Sequence, residues 1–106
     1  MCKFIVVLFR RRDFSRVRFL AYLRDVHGPM AEALPRLAKY VQNHVAEDPS
    51  RRDPGWDAVV ELWWPDRRTM EEAWQSPEGK AATADLAEFA DLDRTSWSIA
   101  DEWSRT

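Results

Sequence analysis

Trp63 and Trp64 stand side by side at the end of the run WDAVVELWW (56–64), and this pair restricts the fold more than any other feature. The run is rich in β-branched and aromatic residues and is stopped by Pro65-Asp66, so it is predicted to be a strand. Successive side chains of a strand leave on opposite faces. One indole can therefore enter a core beneath the sheet, while the other needs cover from the opposite side. If helices cover one sheet face only, the second Trp lies on an uncovered aromatic surface, which marks a place of association. A homodimer whose two sheets face one another is the predicted solution.

The rest of the chain supplies the other layers. KFIVVLF (3–9) is a second apolar run, ended by the polar RRRD, and is predicted as the first strand. Residues 14–27 place Phe19, Leu20, Leu23 and Val26 on one helical face, with Asp13 or Ser15 as the cap. Gly28-Pro29 is predicted to end that helix, with 30–36 as a short connection. Residues 37–46 alternate as a strand, setting Tyr40, Gln42 and His44 on one face and Val41, Asn43 and Val45 on the other. EDPSRRDPG (47–55) is a loop by composition. Thr69 and Glu72 have capping-box spacing before a helix carrying Met70, Ala73 and Trp74. Ser76-Pro77 restarts a helix through about residue 90, and 95–103 alternate as a last strand. The order β-α-β-β-α-β predicts one α+β domain over 1–106: a ferredoxin-like, four-stranded antiparallel sheet with helices on one face.

Composition narrows the function classes. A net charge of -2 argues against nucleic acid or an anionic membrane as the main partner. No apolar run reaches the ~18 residues of a membrane span. MCKFIVVLFRRR has arginines where a signal peptide would carry a small-residue cleavage site. One cysteine, Cys2, excludes an internal disulfide and suits the reducing cytoplasm, most simply as a small buried hydrophobe. Two His and one Cys far apart lack zinc-ligand spacing, so no metal is expected. Six Trp exceed what one small core needs, and such residues also build interfaces and ligand pockets.

Four features bear on chemistry. His27 is either a helix-terminal cation favoured by the dipole or a general acid/base at the mouth of a helix–sheet cavity. His44 shares its strand face with Tyr40 and Gln42; this row either makes cross-strand or interface hydrogen bonds or grips a phenol, carbonyl or carboxylate. Asp85 follows Ala81 by four and precedes Phe89 by four, so it falls on an apolar helical stripe. A carboxylate there is paired, half-exposed at the edge, or lining a pocket. The cluster Arg10, Arg11, Arg12, Arg16 and Arg18 reads as a solvated face or an anion site. No nucleophile motif, phosphate loop or dinucleotide fingerprint is present, so catalysis would be acid/base work without a cofactor.

Two segments, FLAYLRDVHGPMAEALPRLAKYVQNHV and VVELWWPDRRTMEEAWQSPEGKAATADLAEFAD, together with the element order, resemble the EthD family of the dimeric α+β-barrel superfamily. The likeness is carried by His27, Gly28 and Pro29, then Leu34-Pro35 and a strand opening at Tyr40, and it covers most of 3–95. The resemblance implies a homodimer. It also implies activities of the kind found in similar domains: lactone methylisomerases, dehydratases and cyclases of aromatic polyketides, and, more distantly, cofactor-free oxygenases. In such relatives cavity-lining histidines and tyrosines carry the acid/base steps, which by analogy points to His27, Tyr40 and His44.

The expectation is a small cytoplasmic enzyme acting on a hydrophobic, aromatic or polyketide-like carbonyl compound. His27, His44 and Tyr40 are its catalytic candidates, and Gln42, Trp63, Asp85 and Phe89 its substrate-binding candidates. The rival expectation is a non-catalytic protein that binds a small molecule for an oxygenase pathway. A haem-binding protein, with His27 or His44 on iron, is the third.

Overall fold

In the computed structural model, which describes residues 1–51 and 55–106, the first apolar run becomes β1 (Cys2–Leu8) in the interior of a sheet. It pairs antiparallel with β3 (Ala58–Trp64) on one side and β4 (Ser96–Ala100) on the other. The edge strand β2 (Lys39–His44) pairs antiparallel with β3, giving the order β2-β3-β1-β4. Residues 52–54, part of the loop expected over 47–55, lie outside the described residues. Helices α1 (Arg16–Tyr22) and α2 (Gly28–Glu32) connect β1 to β2; α3 (Arg67–Gln75) and α4 (Pro77–Asp85) connect β3 to β4. This is the ferredoxin-like α+β arrangement expected from the element order.

Register decides what each face carries. Val6 lies between Val60 and Trp97, and Tyr40 lies opposite Leu62. Phe4, Val6, Leu8, Val60, Leu62 and Trp64 therefore look toward the helices, as do Tyr40, Gln42 and His44. Trp64 is fully buried, and its Nε1 donates to Pro35 O at 3.0 Å. Trp63 leaves on the other face, between the ammonium groups of Lys3 and Lys39, each 4.9 Å from its ring centroid. The paired indoles thus part as strand geometry requires.

A second aromatic group fills the space above the sheet. Phe89 has no exposed surface, and its ring centroid lies 5.3 Å from Phe19, 4.8 Å from Tyr22 and 5.0 Å from His27. Burying a Phe or Leu side chain contributes roughly 1.5–3 kcal/mol, so this cluster anchors α1 to the segment after α4.

Several boundaries differ from the expectations. Gly28-Pro29 does not end the first helix: Leu23–His27 widens into a π-helical turn and the helix runs on through α2. A proline ring collides with the carbonyl four residues back in a regular helix, and the wider turn before Pro29 relieves that collision. The extra residue also shifts the apolar face, so Phe19 and Leu23 are buried but Val26 is exposed. His27 is consequently mid-helix, and the helix-terminal role considered for it does not apply. Asp66, rather than Thr69, caps α3 by accepting from Thr69 N at 2.8 Å; Glu72 pairs with Arg68 instead. Ser15 caps α1, leaving Asp13 to Arg11. Ser76 caps α4 ahead of Pro77 as expected, but α4 ends at Asp85 and a 3-10 turn, Leu86–Glu88, follows. β4 stops at Ala100, so Asp101 and Trp103 lie beyond it.

Candidate active site

Between the sheet and the helices lies a partly enclosed cavity of about 190 Å³. Phe4, Val6, Leu8, Val60 and Leu62 form its sheet side, and Ala31, Ala82, Thr83 and Leu86 its helical side. Aromatic walls come from Trp74 and from Trp97, which is 55% exposed. Polar side chains are few: His27 and Tyr40 are the titratable ones. A mostly apolar pocket with a few convergent polar groups is the usual form of a small-molecule site.

His27 is brought there by the π-helical turn, with only 8% of its surface exposed. Its Nδ1 lies 2.9 Å from Asp85 Oδ2, and the other oxygen, Oδ1, accepts the Tyr22 hydroxyl at 2.8 Å. A carboxylate only accepts, so Nδ1 carries the proton and Nε2 keeps its lone pair. No hydrogen bond to Nε2 is present among the described residues. Burial pushes the His27 pKa below the ordinary 6.5 although Asp85 pulls it up, so the imidazole is neutral at pH 7. Burial and the bond to Asp85 push the Tyr22 hydroxyl up to about 12, which keeps it a donor. A neutral imidazole whose far nitrogen is held by a carboxylate is the arrangement of a general base.

Tyr40 joins the cavity from β2, and burial raises its pKa above 10.0. Gln42 Nε2 donates to the Tyr40 oxygen at 2.8 Å and to Leu23 O at 3.0 Å, and His44 Nε2 lies 2.8 Å from Gln42 Oε1. The row foreseen on one strand face is therefore a connected chain. Of its members only Tyr40 reaches the cavity wall; His44 is exposed at the outer end. Asp85 and Phe89 gather at His27, one bonded to its ring and the other packed against it. Trp63 is not brought in, because register sends it to the far side of the sheet.

A family profile for the EthD domain matches residues 11–93. The chain belongs to the EthD family. None of the curated proteins matches it in sequence. Among solved structures it is similar to an EthD family protein from Bacillus halodurans, at 19% identity and a TM-score of 0.81, covering 97% of this chain and 100% of that one. A dimeric ferredoxin-like protein from Thermobifida fusca is similar at 13% identity and a TM-score of 0.70, over 95% of this chain and 90% of that one. SnoaB, a cofactor-independent oxygenase from Streptomyces nogalater, is similar at 13% identity and a TM-score of 0.65, over 99% and 93%. At these identities the likeness to solved structures is one of fold.

Tyr22 carried no sequence signal, and the signal at Gly28 is that of a helix end. Tyr22 and His27 are five apart, about 140° around a regular helix at ~100° per residue, and only the π-helical turn aligns them on Asp85. Gly28 is helical, yet a Cβ there would meet Gln42 Nε2 at 2.9 Å and Leu23 O at 3.0 Å. Two of the five clustered arginines serve the scaffold: Arg10 and Arg16 both bond Asp57, which is 2% exposed and also accepts Arg10 N–H at 2.8 Å, while Arg12 and Arg18 are exposed. Among the described residues no group of three His, Cys, Asp or Glu is placed to hold a metal ion, and no helix is long and apolar enough to cross a membrane.

Proposed function

We propose that this EthD-family protein is a cofactor-independent acid/base enzyme that acts, as a cytoplasmic homodimer, on a small hydrophobic carbonyl compound. The observation that carries the reading is the Tyr22–Asp85–His27 chain ending at an apolar cavity. His27 Nε2 takes a proton from the carbon beside the carbonyl group. Negative charge then develops on the carbonyl oxygen, where the Tyr40 hydroxyl stabilises it. The carboxylate of Asp85 stabilises the imidazolium so formed. Returning that proton to a different carbon gives isomerisation; delivering it to a departing hydroxyl gives dehydration, and attack of the enolate on a second carbonyl gives cyclisation. Aromatic walls from Trp74 and Trp97 suit a ligand with one or two rings. The fold shared with a cofactor-independent oxygenase and with a dimeric ferredoxin-like protein supports both the reading and the dimer.

The test is exchange of the C2 hydrogens of 1-tetralone in deuterated buffer, followed by NMR. The wild-type protein should accelerate exchange, and His27→Gln should lose that acceleration. Equal rates in the two proteins remove His27 as the base. Stoichiometric quenching of Trp fluorescence by the ketone with no exchange would instead favour a carrier, for which the cavity's apolar lining is adequate.

A further inference from the structure

The chain running from Leu23 through Gln42 to His44 has a direction. The Leu23 carbonyl oxygen can only accept, so the Gln42 atom 3.0 Å from it is the amide nitrogen. That nitrogen is also 2.8 Å from the Tyr40 oxygen, to which its second proton goes. The carboxamide oxygen then faces His44 Nε2 at 2.8 Å, which must supply a proton. With its oxygen accepting from Gln42, Tyr40 keeps its own O–H proton, and no acceptor among the described residues takes it. Tyr40 is one of the residues lining the cavity, so this proton is available to a ligand bound there.

Gly28 belongs to the same device. A Cβ at this position would lie 2.9 Å from Gln42 Nε2, 3.0 Å from Leu23 O and 4.0 Å from the Tyr40 oxygen. Its φ of -52° is ordinary helix, so the need for glycine comes from close approach and not from backbone freedom. The residue next to the base is thus the floor on which the Gln42 amide rests.

We propose that Gly28, Gln42 and His44 are positioning residues that fix Tyr40 as a one-way hydrogen-bond donor, so that the cavity selects ligands presenting an uncharged acceptor oxygen, such as a ketone. This rests on the function proposed above in taking the cavity as the ligand site. A ligand with a donor at this point would confront the Tyr40 proton. A charged oxygenate would lose hydration in an apolar cavity beside a neutral imidazole.

The test compares 1-tetralone with its hydrocarbon counterpart tetralin by Trp fluorescence titration, and reads the ketone C=O stretch by infrared spectroscopy. Transfer out of water is easier for the hydrocarbon than for the ketone, so a preference for the ketone requires a specific donor. The wild-type protein should bind the ketone roughly three- to tenfold more tightly, the range one net hydrogen bond provides, with the C=O band shifted to lower frequency. Tyr40→Phe should abolish both effects. Gln42→Glu, nearly the same shape, should abolish them too, because a carboxyl group there accepts the Tyr40 proton and turns it away from the ligand. Gly28→Ala should give a partial loss. Tetralin should still bind each variant, which reports an intact cavity. Equal affinities in the wild type, including no binding of either compound, or a preference that survives both Tyr40→Phe and Gln42→Glu, overturns the proposal. C2 exchange can fail while the ketone preference stands, so the two readings fail separately.

Discussion

Asp85 Oδ2 and His27 Nδ1 lie 2.9 Å apart although 58 positions separate the two residues in the chain. Asp85's other oxygen is engaged by the Tyr22 hydroxyl at 2.8 Å, so the carboxylate is held from both sides. The imidazole is held as well, by Phe89 against its face and by the π-helical turn through its backbone. Orientation and tautomer are therefore set before any ligand enters, which is what lets a weak base act repeatedly in one geometry.

Replacing Asp85 by Asn should separate geometry from charge. An amide nitrogen opposite His27 Nδ1 favours a lone pair there and moves the ring proton to Nε2, the wrong end for a base. Exchange of 1-tetralone should fall by about 100-fold or more, with the far-UV spectrum unchanged. Asp85 raises the His27 pKa against the effect of burial, so its loss should lower the imidazole midpoint further in an NMR titration. A rise in that midpoint would show that the carboxylate is not what holds the ring.

The pH dependence follows from the same balance. His27 has a folded pKa below its ordinary 6.5 because burial disfavours the imidazolium. Between the folded value and 6.5 the unfolded chain binds more protons than the folded one, so stability is lost as pH falls through that window and is fully present above it. In the function proposed above the working form of His27 is the neutral ring, so kcat/KM should climb to its plateau with a midpoint below 6.5. On the alkaline side Tyr40 stays a donor past 10.0 and Tyr22 to about 12, so the plateau should hold through pH 9. An acid-limb midpoint above 6.5 would count against His27 as the base.

Much of this was legible in the sequence, and the missing part has one main cause. Alternation and turn residues located four strands, and the Trp63-Trp64 pair dictated two distinct sheet faces. Asp85 stood out because a carboxylate on an apolar stripe demands a partner. The π-helical turn was not legible: Gly28-Pro29 carries the ordinary signature of a helix end, and nothing local states that the helix widens instead. The missed turn concealed Tyr22 as the second partner of Asp85, the burial of His27 and the exposure of Val26. Asp57 was hidden differently, since its two arginines are 47 and 41 residues away and meet it only through strand pairing.

Asp57 should be a stability determinant with no part in chemistry. It joins the start of α1 to the entry of β3 through Arg16 and both the backbone and guanidinium of Arg10. Burial pushes its pKa up, but these three donors outweigh that and hold it below 3.8. Asp57→Ala should cost about 2 kcal/mol in urea denaturation, less than a fully buried pair, because both arginines are a third exposed and regain water. The carboxylate's contribution should be present above pH 3.8 and vanish as pH falls through its lowered value. Ketone affinity in Asp57→Ala should match the wild type wherever the protein remains folded.

In the homodimer proposed above, the far face of the sheet is the one that is covered. Lys3 Nζ lies 2.6 Å from Glu61 Oε2, and Glu61 Oε1 also accepts from Asn43 Nδ2 at 2.9 Å, so Lys3 and Glu61 are paired with one another on this face. Ile5, Val7, Val41 and Val59 share this face with Glu61, and the Trp63 indole lies at its end, flanked by Lys3 and Lys39. A large aromatic buried in an interface is a common anchor, worth about 2 kcal/mol or more on truncation. Trp63→Ala should raise the dimer dissociation constant about thirtyfold in sedimentation equilibrium, the equivalent of ~2 kcal/mol. The cavity lies across the sheet, so the preference for 1-tetralone over tetralin should persist in this variant. A dimer as tight as the wild type would place the contact between protomers elsewhere, and loss of the ketone preference would show that the two sheet faces are coupled.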